Sequence, residues 1–203
     1  MNSTQKIYTR TGDLGNTNLT DNTPVSKSDP RIIASGDLQE LISFLALVLL
    51  NNPDVEDEMK NIILELQKHL FDLSSDISSP LSTNSKSPAN RIVQADINHL
   101  EELLDTFTSK LPVLKSIVIP GGSPLSVNLF HACSISRRAE RSVWAALHQN
   151  PRSMNHLTGK YLNRLSDLLF ILSRYANLAG EEIIYESGST HYDQNDYQIL
   201  IEI

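Results

Sequence analysis

The sequence predicts an all-α fold, a bundle of five helices preceded by a short extended arm at the N-terminus. Apolar residues recur at helical spacing in five separate segments, and such spacing places them on one face of each helix. The connections between these segments are short and few stretches favour strands, which together indicate a helical bundle. A chain of 203 residues, 40% of them hydrophobic, has the size of one domain. We therefore expect a single domain over residues 1–203, with its core at 7–186 and a variable tail at 187–203.

Each helix is predicted from its apolar periodicity and from the residues that flank it. Pro30 can open the first helix, and an Asn-Pro pair follows both the first and the fourth helical segment, where it favours termination. Gly180 lies beyond the last helix and is typical of a helix end. The predicted helices span residues 32–50, 55–77, 92–111, 125–149 and 154–177.

The remaining segments favour extended structure or loops. Residues 7–11 are partly β-branched and aromatic, so we expect a brief strand or extended arm there. Residues 117–124 predict a short extended piece that ends in a sharp Gly-Gly turn, and residues 181–187 predict a short strand. The stretch at 78–90 is rich in Ser, Pro and Asn, which is typical of a mobile surface loop.

The overall charge and composition disfavour several classes of function. The net charge is −7 at pH 7, and without a basic stripe we expect no nucleic-acid partner. No apolar run reaches the roughly eighteen residues of a membrane span, and the N-terminus shows no signal segment, so we expect no membrane association. The single cysteine, Cys133, excludes an internal disulfide and fits a reducing compartment. The cytoplasm is the expected location.

A polar, glycine-punctuated loop, YTRTGDLGNT at residues 8–17, precedes the first helix. Its glycines can present backbone N–H groups to an anion, while its threonines add hydroxyl donors and Arg10 adds charge. The loop matches neither the GxxxxGK[ST] nor the GxGxxG phosphate motif. By itself it is therefore compatible both with phosphate binding and with a plain turn.

The segment CSISRRAERSVW (133–144) carries a charged face on the fourth predicted helix. Arg137, Glu140 and Arg141 fall three and four residues apart, so they share that face. The pattern is typical of a solvated ion-pair surface, but paired arginines also suit phosphate oxygens. The segment starts at Cys133, which on a helix is most often an inert packing residue.

The segment YLNRLSDLLFILSRYAN (161–177) places polar residues in an otherwise apolar helix. Asn163 suits the binding of a hydroxyl or amide group, whereas Arg164 and Asp167 predict a buried polar network that joins helices. The six histidines show no metal-ligand spacing, so the sequence predicts no metal site built from protein side chains.

Four segments in this order resemble one protein family: YTRTGDLGNT, LFDLSSDISSP (70–80), IPGG followed by SRRAER (119–141), and YLNRLSDLLFILSRYAN. Over residues 7–186 the chain is similar to the PduO-type ATP:cob(I)alamin adenosyltransferases. The resemblance implies a five-helix bundle that assembles as a homotrimer, with active sites between neighbouring subunits. It also implies binding of ATP and Mg²⁺, and cob(I)alamin as the nucleophile that attacks the ribose C5′ carbon. The products are then adenosylcobalamin and inorganic triphosphate.

The resemblance also implies roles for individual residues. Arg137 matches an arginine on the triphosphate and is the candidate catalytic residue, while Lys27 matches a lysine that contacts phosphate. The implied ATP-binding residues are Thr9, Arg10, Thr11, Gly12, Asp13, Gly15, Thr17, Lys27, Arg137, Arg138, Glu140 and Asn163. Convergent cations and N–H donors of this kind can stabilise charge on a leaving triphosphate.

The chain departs from the family pattern on the corrinoid side of the site. Where the family has an aspartate and an asparagine in the first helix, this chain has Gln39 and Ile42. Where the family has an arginine one turn before the position of Arg137, this chain has Cys133. In the family that aspartate and arginine form a salt bridge, and losing both leaves no stranded buried charge. In the family an aromatic residue helps to exclude the axial ligand of cobalt, and this chain has Ile117 at that position.

Two interpretations of these substitutions stay open. The first is an ATP:corrinoid adenosyltransferase with altered handling of the corrinoid. The second is a non-catalytic or repurposed homotrimer that binds ATP and has lost corrinoid adenosylation. A third interpretation, in which these residues serve assembly alone, does not account for the Thr/Gly loop or the paired arginines.

Overall fold

A computed structural model of the protein describes residues 7–81, 90–180 and 182–185. In these residues it has five α-helices: α1 (Pro30–Asn51), α2 (Asp57–Ile77), α3 (Gln94–Thr108), α4 (Pro124–Gln149) and α5 (Leu157–Tyr175). Every predicted helix is present, and its ends lie within one helical turn of their expected positions. The prediction of an all-α bundle is confirmed.

The helices pack side by side around one apolar core. Helix α1 contacts α2 and α4, α4 contacts α5, and α5 contacts α3. Buried leucines and isoleucines fill the spaces between them, and Tyr161 and Phe107 are among the largest fully buried side chains. Burial of each such side chain stabilises the fold by about 1.5–3 kcal/mol, so the core holds the ends of α4 and α5 in a fixed relation.

The residues that begin α1 and α4 satisfy the free N–H groups of their first turns. A carboxylate oxygen of Asp29 accepts the N–H of Arg31 at 2.9 Å, and the hydroxyl of Ser123 accepts the N–H of Ser126 at 3.1 Å. Each cap is followed by proline, as Pro30 and Pro124, which is favoured at the first helical position. Both helices therefore begin at well-defined points beside the candidate site residues.

A β-hairpin precedes α1. Its strands, β1 (Asn16–Asn18) and β2 (Pro24–Ser26), pair antiparallel with Thr17 opposite Val25. Thr17 and Val25 are the half-buried members of their strands, as expected of β-branched residues on a packed face. The sequence analysis predicts no strand between residues 12 and 29, so the hairpin was missed.

Of the two alternatives expected at residues 7–11, a brief strand or an extended arm, the strand does not form. Arg10 has a φ of 62°, a left-handed conformation that interrupts extended backbone. The N–H of Asp13 then donates to the carbonyl of Arg10 at 3.4 Å, which turns the chain. The N-terminal segment is therefore an irregular arm leading into a loop.

A second pair of strands, β3 (Val118–Ile119) and β4 (Ile183–Ile184), confirms the extended segments predicted there. They pair antiparallel, with Val118 opposite Ile184. After β3 the chain turns at Gly122, whose φ of 91° favours glycine. The side-chain oxygen of Asn177 accepts the N–H of Ser123 at 3.1 Å, which ties the turn to the end of α5.

Two predicted segments lie mostly or wholly outside the described residues: most of the loop at 78–90, and the tail at 187–203. Helix α1 is long and apolar enough, by length and composition, to cross a membrane, with a mean hydropathy of 1.7 in its most apolar window. The sequence analysis found no segment of this kind. A core helix of a bundle passes the same test, and α1 packs against both α2 and α4.

Candidate active site

The glycine loop, residues 9–17, turns at the open end of the β-hairpin. The N–H of Gly15 donates to the carbonyl of Gly12 at 3.1 Å, and Gly15 has a φ of 82°, where a side chain is disfavoured. The hydroxyls of Thr9 and Thr11 lie 2.9 Å apart, and both residues are exposed. The loop therefore offers hydroxyl donors at the protein surface.

Lys27, the candidate phosphate-contacting lysine, lies against this loop. Its N–H donates to the carbonyl of Gly15 at 2.8 Å. A Cβ atom placed on Gly12 would lie 3.0 Å from the Nζ atom of Lys27, so the missing side chain of Gly12 is what allows the ammonium group to approach the backbone. The guanidinium of Arg10 lies 5.4 Å from the ring centroid of Tyr8. The loop therefore carries Arg10 and lies against Lys27, two cations in a protein of net negative charge.

A separate cavity of about 680 Å³ lies between the β3 segment, α4 and α5. Its lining consists of Leu114, Lys115, Ser116, Ile117, Val118, Pro120, Phe130, Cys133, Ser134, Arg137 and Phe170. The lining is mainly apolar, with two cations, and a concave surface of this kind suits a ligand that is both apolar and charged. The structure thus brings Ile117, Cys133 and Arg137 into one place.

Aromatic rings form part of the cavity lining. Phe130 and Phe170 pack edge to face, with ring centroids 5.9 Å apart. Phe130 is 8% exposed, so the pair is a fixed part of the bundle. Ile117, by contrast, is 68% exposed and reaches outward from the β3 side. The apolar character of the cavity therefore comes from α4 and α5 as well as from the strand.

Cys133 behaves as the packing residue that the sequence predicts. It is 5% exposed, and its Sγ atom donates to the carbonyl of Ser166 at 3.2 Å. Burial raises the pKa of the thiol, and the nearby Arg137 guanidinium opposes this shift in part. The group is therefore a neutral thiol at physiological pH, and it places no charge in the cavity.

Gln39 and Ile42 lie away from this cavity within one subunit. Gln39 is exposed on α1, whereas Ile42 is 7% exposed and belongs to the apolar core. The carbonyl of Ile42 accepts the side-chain amide of Gln67 at 2.9 Å. Ile42 has thus become a residue that packs α1 onto the bundle.

The charged face of α4 divides into two environments. Arg138 forms ion pairs with Glu40 and with Asp37, the latter at 3.6 Å, and the hydrogen bond with Glu40 raises the pKa of Arg138. Arg138 therefore joins α4 to α1. Arg137 and Arg141 are exposed. Glu140, which lies between them in sequence and which the sequence analysis assigned to the ATP site, is half-buried.

The polar residues of α5 join it to α3, but they are not buried as expected. Arg164 donates to Glu101 at 2.7 Å and lies 3.8 Å from Asp167; between a third and a half of each side chain is exposed. The side-chain oxygen of Asn163 accepts a hydrogen bond from Arg164 at 3.1 Å. Asn163 is exposed, so its amide N–H groups face a region that a ligand can reach.

Phe170 and Lys115 are among the cavity residues that sequence reasoning missed. Phe170 follows the apolar periodicity of α5 and carries no local sign of a ligand. Lys115 lies between α3 and β3, where only the fold shows which side it faces. Within the described residues there is no group of three His, Cys, Asp or Glu side chains arranged to hold a metal ion.

Comparison with known proteins decides the family. The family described as cobalamin adenosyltransferase matches residues 7–176. The chain belongs to the cobalamin adenosyltransferase family. A corrinoid adenosyltransferase from Mycobacterium leprae (strain TN) is 46% identical over 187 residues, which cover 90% of this chain and 96% of that protein. One from Bacillus subtilis (strain 168) is 34% identical over 175 residues, which cover 85% and 86%.

Solved structures agree with this family membership. A variant of a PduO-type ATP:corrinoid adenosyltransferase from Lactobacillus reuteri, complexed with cobalamin and ATP, superposes with a TM-score of 0.81 at 30% identity, covering 90% of this chain and 100% of that chain. Another variant of that enzyme, complexed with ATP, gives a TM-score of 0.77 at 29% identity over 89% and 100%. The cobalamin adenosyltransferase likeness therefore extends over the whole five-helix bundle.

Proposed function

We propose that this protein transfers the 5′-deoxyadenosyl group of ATP to the cobalt of cob(I)alamin or a similar reduced corrinoid. The observation that carries the proposal is a single cavity in which Arg137 meets an apolar surface, on a chain whose N-terminal loop gathers cations and backbone donors. The cations and backbone donors suit a triphosphate, and the apolar surface of the cavity suits a corrinoid. The solved Lactobacillus reuteri structure, which holds cobalamin and ATP, supports both ligands.

The reaction requires stabilisation of the leaving triphosphate and positioning of the nucleoside. The cobalt(I) electron pair forms a bond to C5′ while the C5′–O bond breaks, and the bonding pair of the C5′–O bond leaves with the triphosphate. The chain can stabilise the leaving charge with the Lys27 ammonium, the Arg137 guanidinium and the N–H groups of the glycine loop, because such donors act most strongly where charge develops. Asn163 is placed on an exposed face where it can contact the nucleoside.

We propose that Mg²⁺ enters with the triphosphate. Magnesium typically binds proteins through one or two carboxylates together with substrate phosphates. Asp13 is an exposed carboxylate in the glycine loop, and we infer that it meets a metal carried by ATP. The ion would offset negative charge on the phosphates, while Lys27 and Arg137 hold the phosphate oxygens.

The corrinoid half of the site is apolar rather than ion-paired. A neutral Cys133 and the Phe130–Phe170 ring pair line the cavity. This surface can exclude water from one face of a flat macrocycle, which favours the loss of an axial ligand from cobalt. The substitution at Cys133 therefore changes how the corrinoid is held, and it leaves the corrinoid a place to bind.

We also propose that the active protein is a homotrimer in the cytoplasm. Within one chain the glycine loop bonds to Lys27, which precedes α1, whereas Arg137 lies with the β3 segment and α5, so a complete site is best formed between neighbouring subunits. Large apolar side chains on α1 and α2 are exposed in the single chain, among them Leu50 at 74% and Phe71 at 62%, and exposed apolar surface is typical of an interface. The single free cysteine fits a reducing compartment.

The experiment that tests this function uses one purified sample. Calorimetric titration with ATP and Mg²⁺ measures binding, and an anaerobic assay with chemically reduced cob(I)alamin then measures adenosylcobalamin formation from its visible spectrum. Binding with turnover supports the adenosyltransferase. ATP binding without turnover refutes it in favour of the nucleotide-binding homotrimer, and absence of ATP binding refutes both.

A further inference from the structure

The tip of the β-hairpin is bonded to the C-terminal end of α2. The hydroxyl of Thr20 donates to the carbonyl of Ser78 at 2.9 Å and lies 2.7 Å from the hydroxyl of Ser79. The N–H of Thr20 also donates to the carbonyl of Ser78, at 3.2 Å. The neighbouring Leu19 is 4% exposed. The end of the hairpin opposite the glycine loop is therefore fixed at one point.

That point is itself held by the guanidinium of Arg91. Arg91 donates to the carbonyls of Asp76 at 3.0 Å, Ser79 at 2.6 Å and Pro80 at 3.2 Å. It also forms an ion pair with the carboxylate of Asp76 at 2.6 Å. One planar guanidinium group thus donates to all three carbonyls at the C-terminal end of α2, and only arginine has donors in this arrangement.

The carboxylate of Asp76 holds the Arg91 guanidinium in place through their ion pair. Its side chain is fully buried, and its second oxygen accepts the N–H of Ile92 at 2.9 Å and the side-chain amide of Asn155 at 2.7 Å. These partners come from the segment before α3 and from the link between α4 and α5. The end of α2 is therefore tied to two other parts of the bundle through one carboxylate.

We propose that Arg91 and Asp76 are positioning residues for the ATP-binding loop, acting through Ser79 and Thr20. The proposal rests on the function proposed above and adds the residues that set ATP affinity from outside the loop. From Thr20 to Gly15 the hairpin arm is about 16 Å long at the rise of a β-strand. A tilt of about 4° at the tip would move the loop by about 1 Å, a displacement that can cost a hundredfold in rate.

The geometry separates this positioning role from mere stabilisation. Thr20 is exposed, so removing its hydroxyl leaves the buried Asp76 cluster intact. It does, however, remove the side-chain bonds through which the cluster fixes the hairpin. A variant at Thr20 should therefore affect ATP while the fold is unchanged.

The test compares Thr20→Val, Arg91→Lys and the double variant with the wild-type protein. Thr106→Val is the matched control, because Thr106 is also exposed and its hydroxyl donates within its own helix, to the carbonyl of Glu102 at 2.8 Å. Calorimetry gives the Kd for ATP with Mg²⁺, steady-state assays give the KM for ATP and for cob(I)alamin, and thermal unfolding gives the Tm.

The expected result is a rise in the Kd for ATP of about tenfold in Thr20→Val, with the Tm and the KM for cob(I)alamin unchanged. Arg91→Lys should show at least the same rise in Kd. The double variant should have the same Kd for ATP as Arg91→Lys, because both changes break the same chain of contacts between Arg91 and the hairpin. ATP affinity that stays at the wild-type value in Thr20→Val overturns the proposal, and so do equal changes for both substrates or effects that multiply in the double variant. Wild-type protein that binds ATP without turnover refutes the proposed chemistry but leaves the Kd values to decide the positioning role; wild-type protein that binds no ATP overturns both.

Discussion

Replacing Arg137 with alanine should weaken ATP binding and leave the fold unchanged. Arg137 is exposed at the edge of the cavity that also holds Cys133, and surface substitutions usually alter stability by less than about 0.5 kcal/mol. A hydrogen bond from a charged donor contributes about 1.5–3 kcal/mol, which corresponds to a rise in Kd of about 10–150-fold. The whole effect of Arg137→Ala should therefore appear in binding.

The measurement is a calorimetric titration with ATP and Mg²⁺ at fixed ionic strength. Arg141→Ala is the matched control, since Arg141 is also exposed and lies one turn further along α4; its Kd should change by less than about threefold, as for a screened surface charge. Arg138→Ala should instead lower the Tm, because Arg138 ties α4 to Glu40 on α1. If Arg137→Ala and Arg141→Ala weakened ATP binding equally, general charge rather than a specific contact would explain it, and the assigned triphosphate site would be refuted.

Three further predictions follow from single positions. Cys133→Arg puts a cation where the side chain is 5% exposed and should lower the free energy of unfolding by about 3 kcal/mol. Because Gln39 lies away from Cys133 within one subunit, adding Gln39→Asp should form an ion pair across the interface of the proposed homotrimer, recover that stability and raise the adenosylation rate; a flat rate would show that the missing ion pair is not limiting. Gly122→Ala should destabilise the protein by about 2 kcal/mol in urea titrations, because φ is 91° and the new Cβ atom would overlap Asn177; an unchanged midpoint would mean that the turn relaxes. A hydrogen bond from the neighbouring arginine holds the pKa of Asp29 below its usual 3.8, so the stability it contributes is present above pH 3.8 and is lost as the pH falls towards its lower native pKa; Asp29→Asn should remove that part of the acid transition, and identical acid unfolding curves would count against it.

The helices could be predicted because each one leaves a periodic apolar signal that its own sequence carries. The hairpin could not, because its strands are three residues each and are set by pairing between Thr17 and Val25 rather than by local preference. The same limit explains why the sequence left both a strand and an extended arm open at residues 7–11. There β-branched and aromatic residues suggest extension, but the left-handed Arg10 turns the chain.

The site was predictable where one segment carries it and unpredictable where several segments meet. The contact of Lys27 with the glycine loop follows from a short stretch of chain. The cavity around Arg137 needs β3, α4 and α5 together, so Phe170 was read only as a core residue. Arg138 shows the converse case: it shares a motif with Arg137, but a rotation of one residue along the helix turns it towards Asp37 and Glu40 on α1.

The substituted positions argue for a remodelled corrinoid site rather than a decayed one. Decay would leave a buried group without its former partner, and such a group is costly. Instead, Ile42 fills the core, the thiol of Cys133 finds the carbonyl of Ser166, and Gln39 is exposed to solvent. Each change is compatible with the others, and the cavity beside Arg137 stays open and apolar. A chain that had abandoned the corrinoid would have no reason to keep that cavity unfilled, since closing it with larger side chains would stabilise the bundle.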